Sequence, residues 1–191
     1  MYGRLNSDPE RREGSIGLIP IGNVVQGELA FLPRSLQEIL GVEAAWGPSL
    51  PLPRGAYRAG RRQYLAPALL QSLAAVPPGE YLRILGIADV DLFAPGLNFV
   101  FGQALMGGRM CVISLARLRP SFYGLPPDET LFQGRTVKEA VHELGHTFGL
   151  EHCPDPRCVM RFSNSLADTD RKGRGFCPRC RELLDRKLWQ M

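Results

Sequence analysis

Apolar residues along this chain fall into short unbroken runs and longer runs spaced at three and four. Residues 15–22 (SIGLIPIG) read as a buried strand closed by a glycine. Residues 33–40 read as a helix, with Pro33 in the first turn and Gly41 just past the end. Residues 42–46 form a second strand. After a loop rich in Pro, Gly and Arg, residues 66–76 form a helix with Leu69, Leu70 and Leu73 on one face; Pro77, Pro78 and Gly79 then break the chain. Residues 81–90 (YLRILGIADV) and 110–118 (MCVISLARL) are strong strands, with a shorter one at 97–103 (LNFVFGQ). A loop at 119–127 leads into a long helix over 128–149, whose Val137, Ala140, Val141, Leu144 and Phe148 recur at helical spacing. Gly134 weakens its early turns, and Thr136 with Glu139 fits a capping box at an internal restart. A short amphipathic helix over 181–189 ends the pattern.

Strands apolar on both faces that alternate with helices predict an α/β (α+β) lobe built on a mostly parallel sheet. The predicted organisation is an N-terminal α/β lobe at 1–150 and a small C-terminal lobe at 151–191.

At 191 residues, 45% hydrophobic and 8% aromatic, the chain is neither disordered nor a coiled coil. Its 23 basic and 19 acidic residues leave a net charge of +4, spread too evenly to mark a nucleic-acid partner. The beginning of the chain has no apolar run of signal-peptide length. The most apolar stretch, 92–106, is too short and too interrupted by Pro95, Gly96, Asn98 and Gly102 to span a bilayer. These features predict a cytoplasmic protein, taken as a monomer, with no membrane partner.

Four of the five cysteines and all three histidines lie within 39 residues. A disulfide framework would spread its cysteines and favour a secreted chain; clustering with histidine points to metal. Residues 142–146 read H-E-x-x-H within the long helix. His142 and His146, four apart, share a helical face and can meet on one zinc ion. Glu143 lies one step round, within reach of a water on the metal without ligating it. Gly149 and then His152 extend the motif to H-E-x-x-H-x-x-G-x-x-H. Glycine permits a sharp exit from the helix that brings His152 round as a third ligand. Three protein ligands with a fourth position open is the catalytic arrangement of zinc.

Cys153 and Cys158, then Cys177 and Cys180 after an 18-residue gap, have the spacing of a four-cysteine structural zinc knot. Spacing alone also admits a redox pair at Cys177 and Cys180, or two disulfides. Neither explains why Cys153 directly follows a histidine ligand. A zinc there would pin the loop carrying His152 and Met160. Cys111, in the apolar run CVISL, reads as a core residue. Two zinc ions per chain, one catalytic and one structural, are therefore expected.

The run from His142 through Glu143, His146, Gly149, His152, Cys153, Cys158 and Met160 to Cys177 and Cys180 resembles the archaemetzincin family of zinc metallopeptidases. Asp89-Val90-Asp91-Leu92, residues 95–101 (PGLNFVF) and Phe162-Ser163-Asn164-Ser165 are similar as well. The resemblance covers roughly residues 80–181, and sixteen residues separate Met160 from Cys177, one fewer than the family spacing. It implies a metzincin-like fold: a twisted, mostly parallel sheet with an antiparallel edge strand above the active-site helix, and a small C-terminal lobe. It also implies that Met160 sits in a tight turn beneath the histidines.

The leading function is a zinc-dependent peptidase acting on peptide or protein substrates, with Glu143 as general base and residues 97–103 available to pair with an extended peptide. The alternative is a zinc-stabilised binding module whose peptidase site is weak or idle. Its basis is the basic cluster Arg171, Lys172, Arg174, Arg179 and Arg181, together with the absence of a recognisable inhibitory propeptide cysteine. Those cations otherwise read as a solvated face.

Overall fold

A computed structural model describes residues 14–77 and 81–189. The opening of the chain and the Pro78-Gly79 part of the predicted break lie outside the described residues. The elements in chain order are β1 (Ile16–Ile21), α1 (Leu32–Leu40), β2 (Ala44–Trp46), β3 (Tyr57–Arg58), β4 (Gln63–Leu65), α2 (Ala66–Ser72), β5 (Arg83–Ala88), β6 (Leu92–Phe93), β7 (Gly102–Ala104), β8 (Met110–Ser114), α3 (Glu129–Thr147), α4 (Leu166–Arg171) and α5 (Pro178–Trp189).

Five strands form the main sheet in the order β2-β1-β5-β8-β7. The first four run parallel, and β7 closes one edge antiparallel to β8, with Gly102 opposite Ile113 and Ala104 opposite Cys111. Every residue of β1 and β5 is buried, as the continuous apolar runs require when both faces are covered. Side-chain alternation divides the sheet between two cores. Ile16, Leu18, Leu85, Ile87, Cys111 and Ile113 face α1 and α3. Ile19, Ile21, Ile84, Ala88 and Val112 face α2. Cys158, Val159, Met160, Cys180 and Leu184 belong to the first of these cores, so the C-terminal segment packs on the same apolar surface as α3.

Helix α1 starts and stops as its sequence predicts, with Pro in its first turn and Gly41 left-handed at φ 74°. The expected restart inside α3 is absent. Asp128 caps the helix through the Leu131 N–H, and the helix then runs unbroken through Gly134. Thr136 donates its hydroxyl to the Phe132 carbonyl one turn back, and Glu139 faces Thr169 and Lys172, so neither side chain is free to cap.

The edge strand differs from its predicted span of 97–103. Arg61 and Gln63 donate to the Asn98 carbonyl, and Arg61 also reaches that of Leu97. These bonds hold residues 97–98 in a loop, and regular pairing begins at Gly102. Strand β8 ends at Ser114, earlier than its apolar run, because residues Ala116–Leu118 wind into a 3-10 turn. A small second sheet, β3-β4-β6, and α4 have no strong apolar pattern of their own. Helix α4 forms instead on a capping box between Ser165 and Asp168. Among the described residues no helix is long and apolar enough to cross a membrane.

Candidate metal centre

Helix α3 presents His142 and His146 one turn apart, both buried, beneath the edge strand. The helix ends through Gly149, whose φ of 83° lies in the left-handed region that a Cβ disfavours. The exit it allows swings His152 back over the helix, so that the three rings lie 4.6 to 5.4 Å apart between centroids. Their ligating nitrogens all lie within 4.8 Å of one another.

Backbone carbonyls fix which nitrogens face inward. His142 Nδ1 lies 2.8 Å from the Val159 oxygen, and His146 Nδ1 lies 2.7 Å from that of Leu150. A carbonyl oxygen only accepts, so each Nδ1 carries the proton and each Nε2 offers a lone pair. The two Nε2 atoms lie 3.1 Å apart. Two facing lone pairs at that separation repel unless a cation lies between them. Tetrahedral zinc at roughly 2.05 Å from nitrogen sets its ligands about 3.3 Å apart. Burial, then the Lys172 charge, holds the His142 imidazole well below its usual pKa, in the neutral form that a metal needs. Burial likewise lowers His146 and His152.

Glu143, between the two helical histidines, is buried. Burial and the nearby Glu139 charge push its carboxyl well above the usual range, with Lys172 pulling against them. Met160 packs its sulfur against the Cα of Gly145, where a Cβ would collide with Sδ. Its carbonyl accepts from the Cys153 N–H at 2.9 Å, closing the turn beneath the histidines.

Cys153, Cys158, Cys177 and Cys180 form a second cluster, with every Sγ within 4.8 Å of the others. All four are free thiols, and the Cys153 and Cys177 sulfurs stand 3.7 Å apart. A disulfide closes at about 2.05 Å, whereas sulfurs held about 2.3 Å from a tetrahedral zinc stand about 3.8 Å apart. The donor set and its spacing fit zinc. Helix α5 begins at Pro178, three residues before the predicted start, and this places Cys180 in its first turn.

The histidines open into a cleft of about 490 Å³, walled on one side by residues 97–104 with the edge strand and on the other by Phe162, Ser163 and Asn164. A larger depression of about 650 Å³ along α5 contains no histidine or cysteine and lies away from both clusters. The cleft continues past Glu143 to Glu139 and Lys172, which the motif does not include. The Lys172 side chain is 0% exposed and lies 3.0 Å from the Glu139 carboxylate. Reading it as part of a solvated basic face is therefore wrong: a buried ammonium needs a partner, and α3 supplies one. Glu139 sits four residues before Glu143, on the same helical face; that spacing was the signal available for it. Nothing local in the sequence marks Lys172.

A mostly parallel sheet whose antiparallel edge strand overlies a helix carrying two imidazoles, joined by a third from the loop after it, defines a zinc metallopeptidase. The sequence pattern of peptidase family M54 matches residues 50–186, and the chain belongs to that family, the archaemetzincins. It is 58% identical over 137 residues to Archaemetzincin of Methanopyrus kandleri, covering 72% of this chain and 74% of that protein. With Archaemetzincin of Pyrococcus abyssi it shares 45% identity over 181 residues, covering 92% and 96%. The crystal structure of the Methanopyrus kandleri Archaemetzincin superposes with a TM-score of 0.80 at 46% identity, covering 93% of this chain and 97% of that one. A zinc-dependent peptidase from Methanocorpusculum labreanum gives a TM-score of 0.80 at 30% identity, covering 89% and 100%.

Proposed function

We propose that the chain hydrolyses peptide bonds in an extended substrate laid along β7, with Glu143 as general base. In this reading His142, His146 and His152 hold a catalytic zinc, and Cys153, Cys158, Cys177 and Cys180 hold a second, structural one. Bound zinc supplies Lewis acidity toward a carbonyl and makes water acidic near neutral pH. The carrying observation is the pair of unprotonated Nε2 atoms 3.1 Å apart, each fixed by a backbone carbonyl on the far side of its ring.

The rest of the chemistry falls to the chain. Glu143 accepts the proton of the attacking water on its carboxylate and returns it to the departing amine. Burial raises its affinity for that proton, which favours the uptake step. Among the described residues β7 pairs only with β8, leaving its other edge open to a peptide backbone, and the Gln103 Oε1 beside it has no hydrogen-bond partner. The 151–191 segment acts as a small metal-braced lobe docked on the 1–150 lobe. It fixes the Val159 carbonyl that orients His142 and carries His152 itself. We place the protein in the cytoplasm as a monomer acting on peptides.

Replacing Glu143 with Gln keeps the size and removes the base. Peptide turnover should fall by about 10²–10⁴-fold with zinc content unchanged. Loss of zinc from Glu143→Gln would make Glu143 a ligand. Full turnover with zinc retained would place the chemistry elsewhere.

A further inference from the structure

The buried pair at the inner end of the cleft is not used by the hydrolytic step. Lys172 has three N–H donors and no exposure to bulk solvent. Glu139 Oε1 lies 3.0 Å from the Lys172 Nζ as an ion pair, and the Arg161 carbonyl accepts a hydrogen bond at a long 3.5 Å. Glu139 is better served, since the same oxygen also accepts from the Thr169 hydroxyl at 3.1 Å. The shortage in this pair therefore lies with the cation. In the same cleft, the Ser163 hydroxyl is buried without a hydrogen-bond partner. Lys172 and Ser163 both line the cavity that contains His142, Glu143 and His146. Glu139, which anchors Lys172, is one helical turn from His142 and Glu143, roughly 5–6 Å between Cβ atoms.

We propose that Lys172, held by Glu139 and sharing the cleft with Ser163, is a specificity-determining residue that selects a carboxylate side chain on the residue next to the bond being cut. A substrate carboxylate entering from the histidine side supplies the acceptor that Lys172 lacks and takes the Ser163 hydroxyl as a second donor. A substrate lysine would meet an ammonium in a low-dielectric pocket, facing a carboxylate already paired with Lys172 and bonded by the Thr169 hydroxyl. A glutamine fits the same space but brings no charge. Glu139 has two effects here: it stabilises the buried cation and also tempers its pull on a second carboxylate. The inference rests on the reading that this cleft is where the peptide is cut, and it concerns which side chain is accepted there.

The test begins with wild-type, zinc-loaded protein and a proteome-derived peptide mixture. Asp and Glu should be enriched at one position flanking the cleaved bond. Matched peptides with Glu, Gln or Lys at that position should then differ in kcat/KM by about tenfold or more in favour of Glu, the range of a charge-assisted bond in a dry site. Lys172→Met should bring the Glu-to-Gln ratio close to one, and Glu139→Gln should raise it above wild type. Equal turnover of the Glu and Gln peptides by wild type would overturn the proposal, as would an unchanged ratio in a folded Lys172→Met. If Lys172→Met does not fold, Glu139→Gln decides, and a ratio no higher than wild type overturns it. Failure of hydrolysis itself is kept separate by calorimetric binding of a peptide series scanning Glu against Gln to zinc-loaded Glu143→Gln protein. Tighter binding of Glu peptides supports the selectivity without turnover, and equal binding across the series overturns it.

Discussion

Gly102 and Glu143 meet where the edge strand crosses helix α3, so closely that a Cβ on the strand would sit 2.6 Å from Glu143 Cγ and 2.7 Å from its Oε1. The proposed base and the proposed substrate-binding strand therefore fix each other's position. Gly102→Ala must move either the carboxylate or β7. Overpacking of this kind costs about 1–3 kcal/mol. Peptide turnover should fall at least about tenfold, because base catalysis depends on hydrogen-bond reach. Metal content should stay at the wild-type level. A Gly102→Ala protein with wild-type kcat and melting temperature would show that the two groups separate without consequence.

The site was more legible in the sequence than the edge of the sheet, for physical reasons. His142, Glu143, His146, Gly149 and His152 are a local motif, in which helical periodicity and one glycine turn determine the geometry. The central strands announce themselves because burial on both faces leaves an unbroken apolar run. Strand β7 is different: its start depends on Arg61 and Gln63 holding the Asn98 carbonyl, from residues more than thirty positions away. The Lys172–Glu139 pair is non-local in the same way. Thr136 and Glu139 matched a capping box in spacing, yet Thr136 bonds the Phe132 carbonyl one turn back and Glu139 pairs with Lys172 across the fold.

Gly145 and Met160 form a second close approach, this one beneath the histidines. With Sδ against the Gly145 Cα, an alanine at 145 displaces the methionine and with it the turn that supplies the Val159 carbonyl to His142. Gly145→Ala should destabilise the protein by about 1–3 kcal/mol and weaken metal retention. Trimming the methionine in the same chain should recover part of the loss. In denaturant titrations, Gly145→Ala with Met160→Ala should be less destabilised than the sum of the single variants. Simple additivity would mean that the two residues do not compete for the space.

Cys111 stands apart from the metal-binding cysteines. Burial, then the nearby Glu143 charge, pushes its thiol well above the ordinary value of 9.0. In the unfolded chain that thiol ionises as the pH passes about 9, while the folded chain keeps its proton. The folded state then binds more protons than the unfolded one, so this residue's contribution to stability declines as the pH rises. Cys111→Ala leaves a cavity and should be less stable than wild type near neutral pH. Its deficit should shrink between about pH 7 and about pH 10, because alanine has nothing to ionise. A deficit that stays constant over that range, measured by thermal melting, would place the thiol in a more polar setting than the β8 core.

The two metal clusters should separate under chelation, because their environments differ. Three of the four cysteines are buried, all four sulfurs lie within 4.8 Å of one another, and residues of α5 and the 150–160 loop share their apolar core. His152 is exposed, and the histidine site opens into the cleft. Closed thiolate sites retain zinc far better than open histidine sites. Fully loaded protein should contain two zinc ions, and mild chelation should leave about one, held by cysteine. Substitutions should divide the same way. His146→Ala should remove one metal with little change in melting temperature. Cys177→Ser should lower the melting temperature sharply, because zinc binding there contributes directly to folding. It should also loosen metal at the histidine site, since His152 precedes Cys153 directly and the Cys153 N–H bonds the Met160 carbonyl. Metal analysis with calorimetric melts reads all of these outcomes. A single zinc in fully loaded protein would sink the two-site assignment, and equal melting of His146→Ala and Cys177→Ser with two metals in each would reverse the division of roles.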